Sequence, residues 1–168
     1  YILKLKHNFY KNRTNPINRE NKLGGVANNI AKMISLFTKK VYLHSINCNK
    51  SQIKEINKSG IKFLPINKSI HERYYTSVLD KNGKMILGLA DMDIYEKINN
   101  LKIDSKFKNK NIILDMNFSS KFIGNIINEN FKNNYICLCG TSAHKVHKMN
   151  KYLNKVNTII LNKQESLT

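Results

Sequence analysis

At 168 residues with 41% hydrophobic content, the chain is long enough for one domain with its own core and too apolar to be disordered. Lys and Arg number 29 against 11 Asp and Glu, a net charge of +18, but arginine occurs only at 13, 19 and 73 and the lysines form no block or stripe. With the Asn, Lys and Ile bias, this reads as drift toward A- and T-rich codons rather than an arginine-forked nucleic-acid face; a basic nucleic-acid-binding remnant is the alternative from another class. No apolar run approaches membrane-spanning length, so no membrane partner is expected. Cys48, Cys137 and Cys139 have neither zinc spacing nor a disulfide framework, which suits a reducing, cytoplasmic compartment.

Taken in order, Tyr1 to Lys6 alternates loosely and predicts an edge strand, and the polar run from His7 to Leu23 a loop carrying Asn15-Pro16. Gly24-Gly25 precedes a helix over Val26 to Phe37, with Val26, Ile30, Met33, Ile34 and Phe37 on one face. By itself such a pair is an ordinary turn, though it also lets a backbone approach a ligand closely and aims helix N–H groups at it. Val41 to Ser45 predicts a strand, Ser51 to Ser59 a helix closed by Gly60, and Ile61 to Ile66 another strand. Arg73 to Leu79 and Lys84 to Leu89 form a hairpin across Asp80-Lys81-Asn82-Gly83. Asp91 is expected to cap a short helix through Ile98, and Lys102 to Asn109 is a charged connection.

The pattern then becomes regular. Asn111 to Asp115 reads as a buried strand, Ser119 or Ser120 caps a helix to about Glu129, and Tyr135 to Cys139 is a strand. Ser142 caps a helix to Leu153, and Thr158 to Leu161 closes the series. Strand, helix, strand, helix, strand with short connections implies a parallel sheet, which binds ligands beyond the carboxyl ends of its strands. Those ends here are Asp115 and Asn117, Gly140 to Ser142, and Asn162 with Glu165.

With these positions aligned, the chain resembles the PfkB-type carbohydrate kinases, the ribokinase-like family, and within them the pseudouridine kinases. The resemblance rests on Gly24-Gly25-Val26-Ala27-Asn28-Asn29, on Asn15-Pro16 upstream, and on the hairpin followed by Gly88-Leu89-Ala90-Asp91-Met92-Asp93-Ile94. It continues through Asp115-Met116-Asn117, Ser142-Ala143-His144-Lys145 and Asn162-Lys163-Gln164-Glu165. It implies an α/β fold, a mostly parallel sheet with flanking helices plus a β-hairpin lid at about 61–90 and the parallel part at about 91–168. It also implies ATP-dependent phosphorylation of a sugar or pseudouridine hydroxyl, with a ribokinase- or fructokinase-like specificity as the alternative within the family. Gly24, Gly25 and Asn29 would then hold sugar hydroxyls beneath the lid, and Asn162 and Glu165 would organise phosphate and Mg²⁺ through water. Asp115 and Asn117 would support them, no residue would bind the metal directly, and the lid could pair two copies of the chain.

Departures from the family pattern are as informative. The catalytic Asp of a Gly-x-Gly-Asp loop would lie beyond Thr168, so no catalytic residue is assigned and an incomplete domain, truncated at both ends and inactive by itself, is expected. Tyr1 to Lys6 lacks the sugar-gripping Asp, Ile46-Asn47-Cys48-Asn49 replaces a Val-Gly-x-Asp, Cys139-Gly140 stands where Glu-Pro is expected, and Thr38 replaces a Gly. His144 and His147 stand three apart without a third metal ligand, and no cysteine has a histidine partner at suitable spacing for nucleophilic catalysis.

Overall fold

The computed structural model describes residues 1–71, 73–98 and 107–168. The elements in order are β1 (Ile2–Leu5), β2 (Ile17–Glu20), α1 (Val26–Ser35), β3 (Val41–Ser45), α2 (Lys50–Lys58), β4 (Ile61–Pro65), β5 (Tyr74–Leu79) and β6 (Met85–Asp91). They continue as α3 (Ile94–Lys97), β7 (Asn111–Asp115), α4 (Ser120–Asn130), β8 (Tyr135–Cys139), α5 (Ala143–Val146), a 3-10 helix (His147–Lys155), β9 (Thr158–Ile160) and a last 3-10 turn (Glu165–Leu167). The chain divides into two compact units, Tyr1–Gly24 with Glu72–Asp93, and Gly25–His71 with Ile94–Thr168.

The first unit is a four-stranded sheet in the order β2-β1-β5-β6, with β1 parallel to β5 and the other pairs antiparallel. Its hairpin turn follows from local chemistry. Asp80 Oδ1 accepts the Asn82 and Lys84 backbone N–H groups, each at 2.8 Å, and Gly83 takes φ +88°, which a side chain would resist. The expected edge strand at Tyr1 to Lys6 is instead internal, because β2 pairs along its other side. β2 itself falls in the stretch expected to be loop. Its Ile-Asn-Arg-Glu sequence is exposed at every position; the backbone ladder to β1 and the Arg19 guanidinium over the Tyr1 ring at 4.1 Å hold it, and no hydrophobic alternation announces it.

The second unit carries the α/β layers. β3 and β4 form a parallel pair, and β7-β8-β9 form a parallel sheet with β8 in the centre. β4 thus belongs with β3, whereas the sequence grouped residues from 61 onward with the lid hairpin; a strand of the parallel layer and a polar connection separate them. Ile136, Cys137, Leu138 and Cys139 of the central strand are all buried, while β7 at the sheet's edge is half-exposed rather than buried. α4 contributes Phe122, Ile123, Ile126 and Ile127 to the core, each worth about 1.5–3 kcal/mol of burial. α1 packs on β3 and β7, and α2 on β4.

Caps explain several boundaries. Ser119 accepts the Phe122 N–H at 3.3 Å and starts α4, and Asn49 and Gln52 form a reciprocal capping box at the start of α2. Gly60 closes α2 with φ +74°. Asp91 is the last residue of β6 and does not cap the short helix, which runs only from Ile94 to Lys97. The single helix expected from Ser142 to Leu153 tightens after Val146 into 3-10 winding. A three-residue period puts Met149 and Tyr152 on one face, against α4, where a Cβ on Gly124 would lie 2.0 Å from the Tyr152 hydroxyl. The charged connection at Lys102 to Asn109 lies largely outside the described residues.

Candidate functional site

The carboxyl edge of the β7-β8-β9 sheet gathers the polar groups of the second unit. At the end of β7, the Asp115 carboxylate accepts the Asn117 backbone N–H at 3.1 Å and the Asn117 Nδ2 at 2.9 Å. The backbone N–H of Ala27, in the first turn of α1, also favours the charged form of this carboxyl. Asn117 Oδ1 in turn accepts from Lys145 Nζ at 3.1 Å. The amide therefore faces a cation with its oxygen and an anion with its nitrogen, a fixed orientation with both ends satisfied. Burial raises the Asp115 carboxyl above its ordinary range; the three N–H donors and the Lys145 charge oppose that shift.

At the end of β9, Asn162 and Glu165 bind each other reciprocally. The Asn162 N–H donates to Glu165 Oε2 at 3.0 Å, and the Glu165 N–H donates to Asn162 Oδ1 at 2.9 Å, a reciprocal pair with the geometry of a capping box that leads into the last 3-10 turn. The carboxylate rests against the end of β8, where a Cβ on Gly140 would lie 2.2 Å from Glu165 Oε2. Only a glycine admits it there. Glu165 is 5% exposed, and the ion pairs among the described residues are Lys22–Glu20, Lys32–Glu55 and Lys148–Glu96, so no side-chain cation neutralises it there. The Cys139 thiol is pushed up to about 12, chiefly by burial, then by Cys137 and by the charges of Asp115 and Glu165. So protonated, that thiol is inert.

The glycine pair fares differently at its two positions. Gly25 is the residue before α1 with φ +104°, a backbone state that disfavours any side chain, and the Asn29 N–H closes the first helical turn onto its carbonyl at 2.9 Å. Neither Gly24 nor Gly25 is crowded, so space near them is open. The Asn29 side chain is exposed, whereas Asn28 is buried at 7% and points into the unit. The helical pattern gave no means of ranking the two asparagines. Lys145 and Gly140 have no role of their own in the sequence motifs that contain them. The Ser-x-x-Lys spacing carried the signal for Lys145, and the replacement of an expected proline carried it for Gly140. His144 and His147 are both exposed. Asn15 is engaged in its own loop, accepting from the Tyr10 N–H and donating to the Tyr10 and Arg13 carbonyls, each at 2.8 Å.

No protein-family model and no curated protein matches the sequence. Solved structures do match. A carbohydrate kinase from Agrobacterium tumefaciens superposes with a TM-score of 0.74 at 17% identity, over 98% of this chain and 58% of that one. A protein from Clostridium perfringens described as a candidate sugar kinase gives 0.66 at 20% identity, over 98% and 55%. The fold is that of the carbohydrate kinases. The chain spans a little over half the length of these carbohydrate-kinase structures. The strand-end groups above lie at or just beyond the carboxyl ends of β7, β8 and β9. No helix among the described residues is long and apolar enough to cross a membrane.

Proposed function

We propose that these residues are the substrate-holding and phosphate-organising part of a PfkB-type, ATP-dependent kinase for a sugar or nucleoside hydroxyl, with pseudouridine as the preferred acceptor. The observation that carries the proposal is the Asn162–Glu165 pair, a buried carboxylate without a side-chain cation among the described residues, at the carboxyl edge of a parallel sheet. Such a carboxylate fits a hydrated Mg²⁺, and Asn162 and Glu165 would hold that ion's water shell. Bound MgATP supplies the phosphoryl group and neutralises its charge; the protein's part is positioning. Gly25, with Gly24 before it, leaves open space at the start of α1 for a sugar, and the exposed Asn29 offers an amide to its hydroxyls. Asp115 and Asn117 keep that helix start in place.

Pseudouridine is favoured over ribose or fructose by Asn15-Pro16 and Asp91-Met92-Asp93-Ile94, which are similar to the pseudouridine kinases. None of the aspartates of this chain stands in a Gly-x-Gly-Asp loop, so these 168 residues by themselves are proposed to bind without transferring phosphate. Pairing of two copies through the hairpin and a reducing, cytoplasmic setting belong to the same proposal; Cys48, Cys137 and Cys139 are all free and buried.

The test is titration calorimetry of the 168-residue chain with pseudouridine, uridine, ribose and fructose, together with a γ-phosphate transfer assay. Pseudouridine is expected to bind most tightly and no phosphate to move. Turnover would overturn the inactivity, tighter binding of ribose or fructose would favour the sugar-kinase alternative, and no binding of any of the four would overturn the substrate assignment.

A further inference from the structure

We propose that Lys145 is a positioning residue for the glycine-containing start of α1, acting through Asn117 and Asp115. The inference rests on the proposed function only for what the helix start holds; the linkage itself stands on geometry. Lys145 lies in α5 and Asn117 just past β7, and their hydrogen bonds meet at Asp115, the last residue of β7, the strand against which α1 packs with Ala27 in its first turn.

Each link has one sense. Lys145 Nζ can only donate, so it fixes Asn117 Oδ1 as the acceptor at 3.1 Å. Nδ2 is then the only end of the amide left for Asp115, and it donates to Oδ2 at 2.9 Å while the Asn117 backbone N–H donates to Oδ1 at 3.1 Å. Asp115 is left with acceptor capacity directed at the Ala27 N–H, one of the donors at a helix start that have no partner within the helix. Without Lys145 the amide oxygen loses its donor at 3.1 Å and the Nδ2–carboxylate bond alone must hold the side chain, so Asn117 can swing more freely and the grip of Asp115 on the start of α1 loosens. Gly25, two residues before Ala27, has the positive φ that most needs an anchored neighbour. The helix start and the Lys145 charge both favour the carboxylate that burial disfavours, so the lysine contributes orientation together with charge.

The experiment compares Lys145→Met, Asn117→Ala and Lys145→Arg with the wild-type 168-residue chain, by amide hydrogen exchange and by calorimetry with pseudouridine. In the Met and Ala variants, exchange at Ala27 is expected to rise about tenfold, with the amides of Ile123 and Ile127 in α4 unchanged. The double variant should add little to either single change, because both remove one linkage. Lys145→Arg, which keeps the donor, should restore protection. Pseudouridine affinity should fall about five- to tenfold wherever Ala27 loosens. Unchanged exchange at Ala27 in either variant that folds would overturn the proposal. Loss of structure in both would do so too, since the network would then hold the fold rather than position one helix end. If the wild-type chain binds no pseudouridine, the functional proposal fails while the exchange data still decide this one.

Discussion

Gly140 determines where the Glu165 carboxylate can rest. With a methyl group at 140, Glu165 Oε2 would be 2.2 Å away and Leu161 Cδ2 3.0 Å away, so the carboxylate must swing off β8 and give up the Asn162 N–H. The displaced atoms end a flexible side chain, so the backbone need not move. Gly140→Ala is therefore expected to cost about 1–2 kcal/mol, the scale of one charge-assisted hydrogen bond. Urea unfolding checks this, and in a Glu165→Ala background the same change should cost clearly less; an undiminished cost would place the strain elsewhere. Asp115 gives a prediction in pH. Its folded carboxyl is raised above the ordinary 3.8 that the unfolded chain retains, so the folded state holds the proton more tightly. The stability this site contributes is full below about pH 3.8 and is lost as pH rises through the raised folded value. Measured from pH 4 to pH 7, the wild-type chain should lose stability relative to Asp115→Asn, and a gap that moved the other way would contradict it. Sequence made Asp115, Asn117, Asn162 and Glu165 visible because strand ends are predictable from apolar runs. It could not rank Asn28 against Asn29, since a single shift around a helix decides which is buried.

At the scale of elements, β3, β7 and β8 are found at the boundaries their sequences predict, because Val41, Ile112, Ile136 and their neighbours are short apolar runs between turn-forming residues. β2 was illegible for the opposite reason: an exposed strand held by its backbone has no side-chain period to read. The tightening at His147 was equally hidden, since Met149 and Tyr152 fit a three-residue or a four-residue turn until their partner on α4 is known. β6 carries the next prediction. Among the described residues it is paired only with β5, and Met85, Ile86, Leu87 and Leu89 are between 44% and 57% exposed. An apolar strand with a free edge favours pairing with another chain, which supports the proposed association of two hairpins. Sedimentation velocity should show concentration-dependent dimers that Leu87→Lys with Leu89→Lys, two changes on one face, converts to monomers. A wild-type chain that stays monomeric across the same range would remove the hairpin as a dimer surface.

At the scale of the whole molecule, a net charge of +18 must attract polyanions whatever the protein does, and the useful question is whether that attraction is localised. One feature of the fold argues that it could be. Although the sequence reads as having no lysine stripe, α2 places Lys50, Lys54 and Lys58 at successive four-residue steps, beside Ile53 and Asn57 in an open groove of about 510 Å³. If the charge reflects codon drift, these three lysines are no more important than any other exposed three. RNA retention on an immobilised single strand should then be lost steeply with salt, and Gln at 50, 54 and 58 should weaken it no more than Gln at the exposed Lys121, Lys151 and Lys163. A selective loss from the α2 triple, with a measurable base preference, would instead revive the nucleic-acid reading and make α2 its face. Equal losses would leave the charge as background, set apart from the sheet edge, where the buried Glu165 carboxylate has no ion pair among the described residues.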